Sequence, residues 1–294
     1  MVFDAHCDTL SRLVYENISL NETKVNKTNL NYGAQCFACF VRPNSDNKFS
    51  ECLKMIRRFY SENFLLATNY AEMSAIINNG KTAAFLSIEG ADLIEKISDL
   101  YLLYSLGVRF LSLTWNYDND LAGGVLEGKH GVTKFGKIII QEMNKIGIII
   151  DVSHLSENSF WEVSDISDKP FIASHSNSFV CCNNKRNLTD RQFEMIRDKK
   201  GMVGINFCSD FLNDRKNATV KDVILHIEHF LSLGGEDCIG IGSDYDGTVN
   251  IPRELENPSK IAVLRDELIK LNYSYELTDK ILYKNFMIFV KNNL

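Results

Sequence analysis

Apolar residues along this chain gather into short runs separated by longer segments of helical spacing. Eight such runs stand out, at residues 1–3, 34–41, 82–88, 108–113, 147–152, 170–173, 202–207 and 238–241. Brief, nearly continuous apolar runs suit strands of a parallel sheet that are buried on both faces. Residues 49–79 carry Leu53, Ile56, Phe59 and Tyr60 three and four apart, which predicts one long helix or two shorter ones. Residues 135–145 read as a helix stopped by Gly147, since a glycine just past the last turn accepts the left-handed conformation that ends helices. Residues 98–106, 190–199 and 220–233 end in the same way before Gly107, Gly201 and Gly234. Strand, loop, helix, glycine, strand, repeated about eight times, predicts an α/β chain folded as one (β/α)8 barrel over residues 1–294. A doubly wound open sheet is the runner-up, but no G-x-G-x-x-G follows the first run.

Composition narrows the function classes. At 294 residues, 45% hydrophobic and 24% charged, the chain has ample material for a core. A net charge of -6 without a clustered basic face argues against a nucleic-acid partner, and Arg57-Arg58 and Lys199-Lys200 are too short to change that. No stretch approaches the length of apolar sequence that spans a bilayer, so no membrane partner is expected. Asp4 arrives before any apolar signal region could form, which favours the cytoplasm. The 8 cysteines then read as reduced thiols. Cys36-Phe-Ala-Cys39 has the C-x-x-C form but sits inside an apolar run, so buried strand cysteines are expected there.

The candidate chemistry lies just past the runs. His6 and Asp8 follow the first, Glu89 the third, Trp115 and Asn116 the fourth, His154 the fifth, His175 the sixth, and Asp244 and Asp246 the eighth. All fall at carboxyl ends of predicted strands, the face on which barrel active sites are built. Side chains two apart on an extended chain point the same way, so His6 and Asp8 can reach one metal ion. Three histidines, one aspartate and one glutamate exceed the needs of a single tetrahedral zinc with an open position. Two ions sharing a bridging carboxylate and a bridging water use them naturally, and hydrolysis of an amide, ester or phosphoester follows. His130, His226 and His229 fall in a loop or helical segment and read as non-ligands, and Asp151 reads as a loop anchor.

The blocks Asp4-Ala-His-Cys-Asp, Ser87-Ile-Glu-Gly, Leu113-Thr-Trp-Asn, Ile150-Asp-Val-Ser-His, Ala173-Ser-His-Ser-Asn, Arg186-Asn-Leu-Thr-Asp and Gly242-Ser-Asp-Tyr-Asp-Gly, in this order, resemble the membrane (renal) dipeptidase family, peptidase M19. The resemblance covers nearly the whole chain. It implies a barrel metallopeptidase with two zinc ions, usually a homodimer, that cleaves dipeptides and often accepts a D-residue at the carboxyl end. By position, it implies that His6 and Asp8 bind one zinc, His154 and His175 the other, and Glu89 bridges them. It implies Asp244 as the acid/base and Arg186 as the grip on the substrate carboxylate or developing oxyanion. The plainer expectation for Arg186 is a surface ion pair with Asp190. This chain departs from the animal enzymes in carrying Trp115 where they place a substrate-contacting histidine; Asn116 or a nearby loop is the expected substitute. The signal and anchor of the exported members are not expected here, and the chain resembles the bacterial intracellular branch. Another binuclear metallohydrolase, acting on a lactone, cyclic amide or phosphoester, has the same ligand set. A non-catalytic metal-binding scaffold would have no need of Asp244 and Arg186 beside an open metal position.

Overall fold

The computed structural model describes residues 1–26 and 33–294. Each of the eight apolar runs becomes a strand, and among the described residues a short ninth strand joins them. In chain order these are β1 (Phe3–Asp4), β2 (Ala34–Phe40), β3 (Leu65–Leu66), β4 (Ala83–Glu89), β5 (Val108–Ser112), β6 (Ile149–Asp151), β7 (Ile172–Ala173), β8 (Met202–Ile205) and β9 (Ile239–Ile241). The sheet runs β2-β1-β9-β8-β7-β6-β5-β4, and β2 pairs with β4 from Ala34↔Ala83 to Phe40↔Glu89 to close the ring. All pairings between these strands are parallel. The closed eight-stranded parallel barrel with intervening helices is the predicted (β/α)8 fold.

β3 lies outside the ring. It pairs with Ala83 and Ala84 at the amino end of β4, below the point where β5 begins to pair at Leu86. The helical segment predicted for residues 49–79 therefore divides into Lys48–Ser61 and Tyr70–Asn78 with a strand between them. Asn63, at φ 56°, turns the chain out of the first helix. The glycine stops are observed at Gly107 (φ 95°), Gly147 (φ 84°) and Gly234 (φ 80°). After the helix Asp190–Asp198 the left-handed residue is Lys200 (φ 58°) and not Gly201. Gly201 serves a different need, because a Cβ there would collide with the Phe171 carbonyl oxygen.

Period-two alternation explains how the strands carry the site. In β4, Ala84, Leu86 and Ile88 pack outward against the helices, while Ala83 and Phe85 face the barrel interior. The same parity brings Glu89 to the top of the interior. Phe3, Phe85 and Phe110 pack below it, and Phe286 from the helix Asn285–Asn293 stacks on Phe3 with ring centroids 5.1 Å apart. These rings form a dry floor, so the polar groups above open only toward the carboxyl ends of the strands. Cys36 and Cys39 are buried strand residues of β2, as expected, on opposite faces of the barrel wall.

Candidate active site

His6, Asp8, Glu89, His154 and His175 converge at the carboxyl ends of β1, β4, β6 and β7, and all five are buried. Glu89 stands at the centre. One of its oxygens lies 3.4 Å from His6 Nε2; the other lies 2.8 Å from His154 Nε2 and 3.8 Å from His175 Nε2. Asp8 is on the His6 side, 3.4 Å from the same ring nitrogen. The carboxylate of Glu89 thus faces two groups of donors, one with each oxygen.

The outer ring nitrogens fix which nitrogen points inward. His154 Nδ1 is 2.7 Å from the Asn116 side-chain oxygen, which can only accept, so Nδ1 carries the proton. His175 Nδ1 is 2.7 Å from Ser174 Oγ, which itself donates to Asp151. Its Nδ1 is therefore the donor too. Both inward Nε2 atoms carry bare lone pairs, and they stand 2.8 Å apart. Two bare lone pairs repel at that distance, whereas ligands of one cation are brought together in this manner. His6 Nε2 and Asp8 Oδ1 are buried with no hydrogen-bond partner among the described residues. Orphaned imidazole and carboxylate donors in a dry site are the mixed nitrogen and oxygen set that suits zinc. His6, Asp151 and His175 also lie close together, but Asp151 spends its oxygens on the Ser153 and Ser174 amides and the Ser174 hydroxyl. Its expected anchoring task is what the hydrogen bonds describe.

Electrostatics follow from this crowding. Burial, then the Arg186 charge, pushes His154 down to about 4, and burial with its cationic neighbours holds His175 well below the usual imidazole range. Both are neutral, the form that binds metals. Burial opposes charge on His6, but Glu89 and Asp8 outweigh it and raise its pKa. Burial also opposes ionisation of Glu89, which His6 and His154 more than offset, leaving it well below the carboxylate range. Asp8 is pushed up to about 8 by burial and then by Glu89.

Asp244 reaches the same centre from the loop after β9. Its Oδ2 accepts from Asn206 Nδ2 at 3.0 Å, and burial, with Glu89 adding to it, raises its pKa to about 6. Asp244 and His154 both hold left-handed backbone, at φ 62° and 69°. Such conformations cost non-glycine residues energy and gather at functional sites. Gly247 explains itself by contact: a Cβ there would strike the Asp8 and Asp244 carboxylates together. Arg186 is buried, not paired with Asp190, which instead meets His229 at 2.8 Å. Its guanidinium lies 3.0 Å from His154 Nε2, and its Nε is orphaned. His226 is a buried core residue bonded to the Ser178 amide and the Leu212 carbonyl, and His130 lies outside the cluster beside Asp118.

Asp8, Glu89, His154, His175, Arg186 and Asp244 line a cleft of about 320 Å³, the size of a small-molecule site. Trp115 walls one side and packs on Phe40 with centroids 5.2 Å apart. Asn116 lines the cleft too, but its oxygen is committed to His154. Sequence reasoning missed Asn206, although a signal existed: two-residue steps from Met202 through Gly204 place Asn206 on the interior parity. It also missed the clasp in which Asp4 accepts from the Ser243 amide at 2.9 Å and its hydroxyl at 2.6 Å, tying β1 to the Asp244 loop.

Known proteins share both fold and sequence. A solved metallopeptidase from Rhodobacter sphaeroides, liganded with a phosphinate mimic of the dipeptide L-Ala-D-Ala, is 26% identical with a TM-score of 0.93, over 100% of this chain and 99% of that one. The dipeptidase AC, a metallopeptidase of family M19, is 26% identical with a TM-score of 0.93, over 99% and 98%. An uncharacterised protein encoded 5' of pqqA in Klebsiella pneumoniae is 34% identical over 205 residues, 66% of this chain and 75% of that protein. The model of the membrane dipeptidase family matches residues 1–292. The chain belongs to that family, peptidase family M19, and is a peptide-bond hydrolase of the metallodipeptidase type.

Proposed function

We propose that this protein is a zinc-dependent dipeptidase holding two zinc ions, one at His6 and Asp8, the other at His154 and His175, with Glu89 shared between them. The observation that carries the reading is the Glu89 carboxylate, whose two oxygens face separate donor groups. A metal pair at such a site supplies an acidified water and polarises the carbonyl of the scissile bond. The remaining work falls to the chain. Asp244 takes a proton from the attacking water and returns it to the leaving amine, and Asn206 holds the carboxylate for that transfer. Arg186, with a guanidinium already buried, offers planar paired donors to the substrate carboxylate or the developing oxyanion. Trp115 closes the cleft and keeps water out, a wall and not a polar contact. The phosphinate ligand of the Rhodobacter protein supports dipeptides with a D-residue at the carboxyl end. A homodimer working in the cytoplasm as a single-domain enzyme completes the proposal, supported by the family resemblance and by the absence, among the described residues, of any helix long and apolar enough to cross a membrane.

The purified protein should contain about two zinc ions per chain and hydrolyse Ala-Ala dipeptides, L,D pairs included. Chelation should abolish turnover and added zinc restore it. Metal-replete protein that opens lactones but leaves dipeptides intact would favour the alternative hydrolase chemistry.

A further inference from the structure

Among the described residues, three guanidiniums line the cleft: Arg12, Arg42 and Arg186. Arg12 is spent, meeting both oxygens of Glu16 at 3.0 and 2.8 Å and the buried Asp246 at 3.1 Å. Arg186 is buried against His154 and the His175 carbonyl. Arg42 alone is uncommitted. Its guanidinium lies 4.2 Å over the Tyr15 ring, with no carboxylate in ion-pair range among the described residues. Tyr15 also accepts from the Arg42 backbone amide at 3.2 Å, so one aromatic residue fixes both ends of the arginine. Stacking engages the face of a guanidinium and leaves the N–H groups at its edges for a planar acceptor.

Position gives that acceptor an identity. Arg186 follows β7 and Arg42 follows β2, four strands apart in either direction around the eight-stranded ring. Arg42 therefore leaves the barrel on the side opposite the strand whose loop carries Arg186, while the Arg186 guanidinium itself is buried beside His154. A dipeptide whose terminal carboxylate meets Arg186 turns its amino-terminal side chain toward the wall of Tyr15, Phe40, Arg42 and Trp115. Aromatic rings suit a methylene stem, and Arg42, which among the described residues has no carboxylate in ion-pair range, suits an acidic end. Glu16 gives both oxygens to Arg12 and acts on Arg42 only through space, beyond ion-pair range. We propose that Arg42 is a specificity residue that selects dipeptides with an acidic amino-terminal side chain, glutamyl above all. This rests on the dipeptidase reading.

The test compares Glu-Ala with the isosteric Gln-Ala, each with L- and D-alanine, in the zinc-loaded enzyme. Wild type should favour the glutamyl substrate by roughly fivefold in kcat/KM, carried by KM, as a partly exposed ion pair permits. In Arg42→Ala the ratio should fall to near one, and Arg42→Lys should restore part of it. Arg42→Glu should turn preference toward Lys-Ala. Equal use of Glu-Ala and Gln-Ala by wild type, or a ratio that survives in Arg42→Ala, overturns the assignment while leaving the dipeptidase reading intact. Failure of zinc-loaded wild type to cleave any dipeptide overturns both.

Discussion

Asp244→Asn is expected to lower kcat by about 10²- to 10⁴-fold while the protein keeps its metals. The substitution preserves size, and the new amide oxygen can still accept from Asn206, so the loop after β9 has no reason to move. What is lost is the ability to take up a proton and give it back. Asp244 is suited to that exchange: burial, abetted by Glu89, raises it to about 6, which brings its two protonation states closer in energy at neutral pH. It is also costly to hold, in left-handed backbone that an L-residue adopts only when its surroundings compel it. The clasp of Asp4 on Ser243 and the absence of a side chain at Gly247 supply that compulsion. Steady-state kinetics with zinc analysis of the same sample checks the outcome. Activity within tenfold of wild type in a metal-replete variant would remove Asp244 from the reaction.

Glu89→Gln should be more damaging, and through a different cause. The amide keeps one oxygen, but its N–H would donate to an imidazole Nε2 and occupy the lone pair that a metal needs. It also removes the negative charge that faces His6 at 3.4 Å and His154 at 2.8 Å. Zinc content should drop from about two per chain to one or less, and kcat/KM should fall roughly thousandfold or more, as loss of several kcal/mol of charge stabilisation requires. The fold should persist, because the residues beneath Glu89 form an apolar floor of packed aromatic rings that needs no metal. Circular dichroism alongside elemental analysis separates loss of metal from loss of structure. A variant that retains two zinc ions would show that Glu89 does not join them.

The barrel was legible because its strands are short apolar runs and its helices end at glycines such as Gly107, Gly147 and Gly234, each of which adopts the left-handed turn that its position called for. β3 was not legible. Two residues, Leu65 and Leu66, cannot display a period, and they lie between two helices in a segment that reads as helical throughout. The convergence of His6, Asp8, Glu89, His154 and His175 could be anticipated from strand ends, since parallel strands deliver their carboxyl termini to one face. Their supports could not. Asp4 and Ser243 are 239 positions apart, and no sequence signal shows that the Asn116 side-chain oxygen meets His154 Nδ1. Asn206 had a parity signal, yet a lone amide in an apolar run draws little notice beside imidazoles and carboxylates. Arg186 shows how proximity in sequence misleads: Asp190 is four residues away, yet it pairs with His229 across helices while Arg186 turns inward.

Two cations seated around a single shared carboxylate are the central prediction for this site. Anomalous diffraction at the zinc edge, on crystals of the zinc-loaded protein, reads this directly. Two peaks roughly 3.5–4 Å apart are predicted, one beside His6 and Asp8 and one beside His154 and His175, with Glu89 between them. A single peak, or density seated away from Glu89, would contradict it.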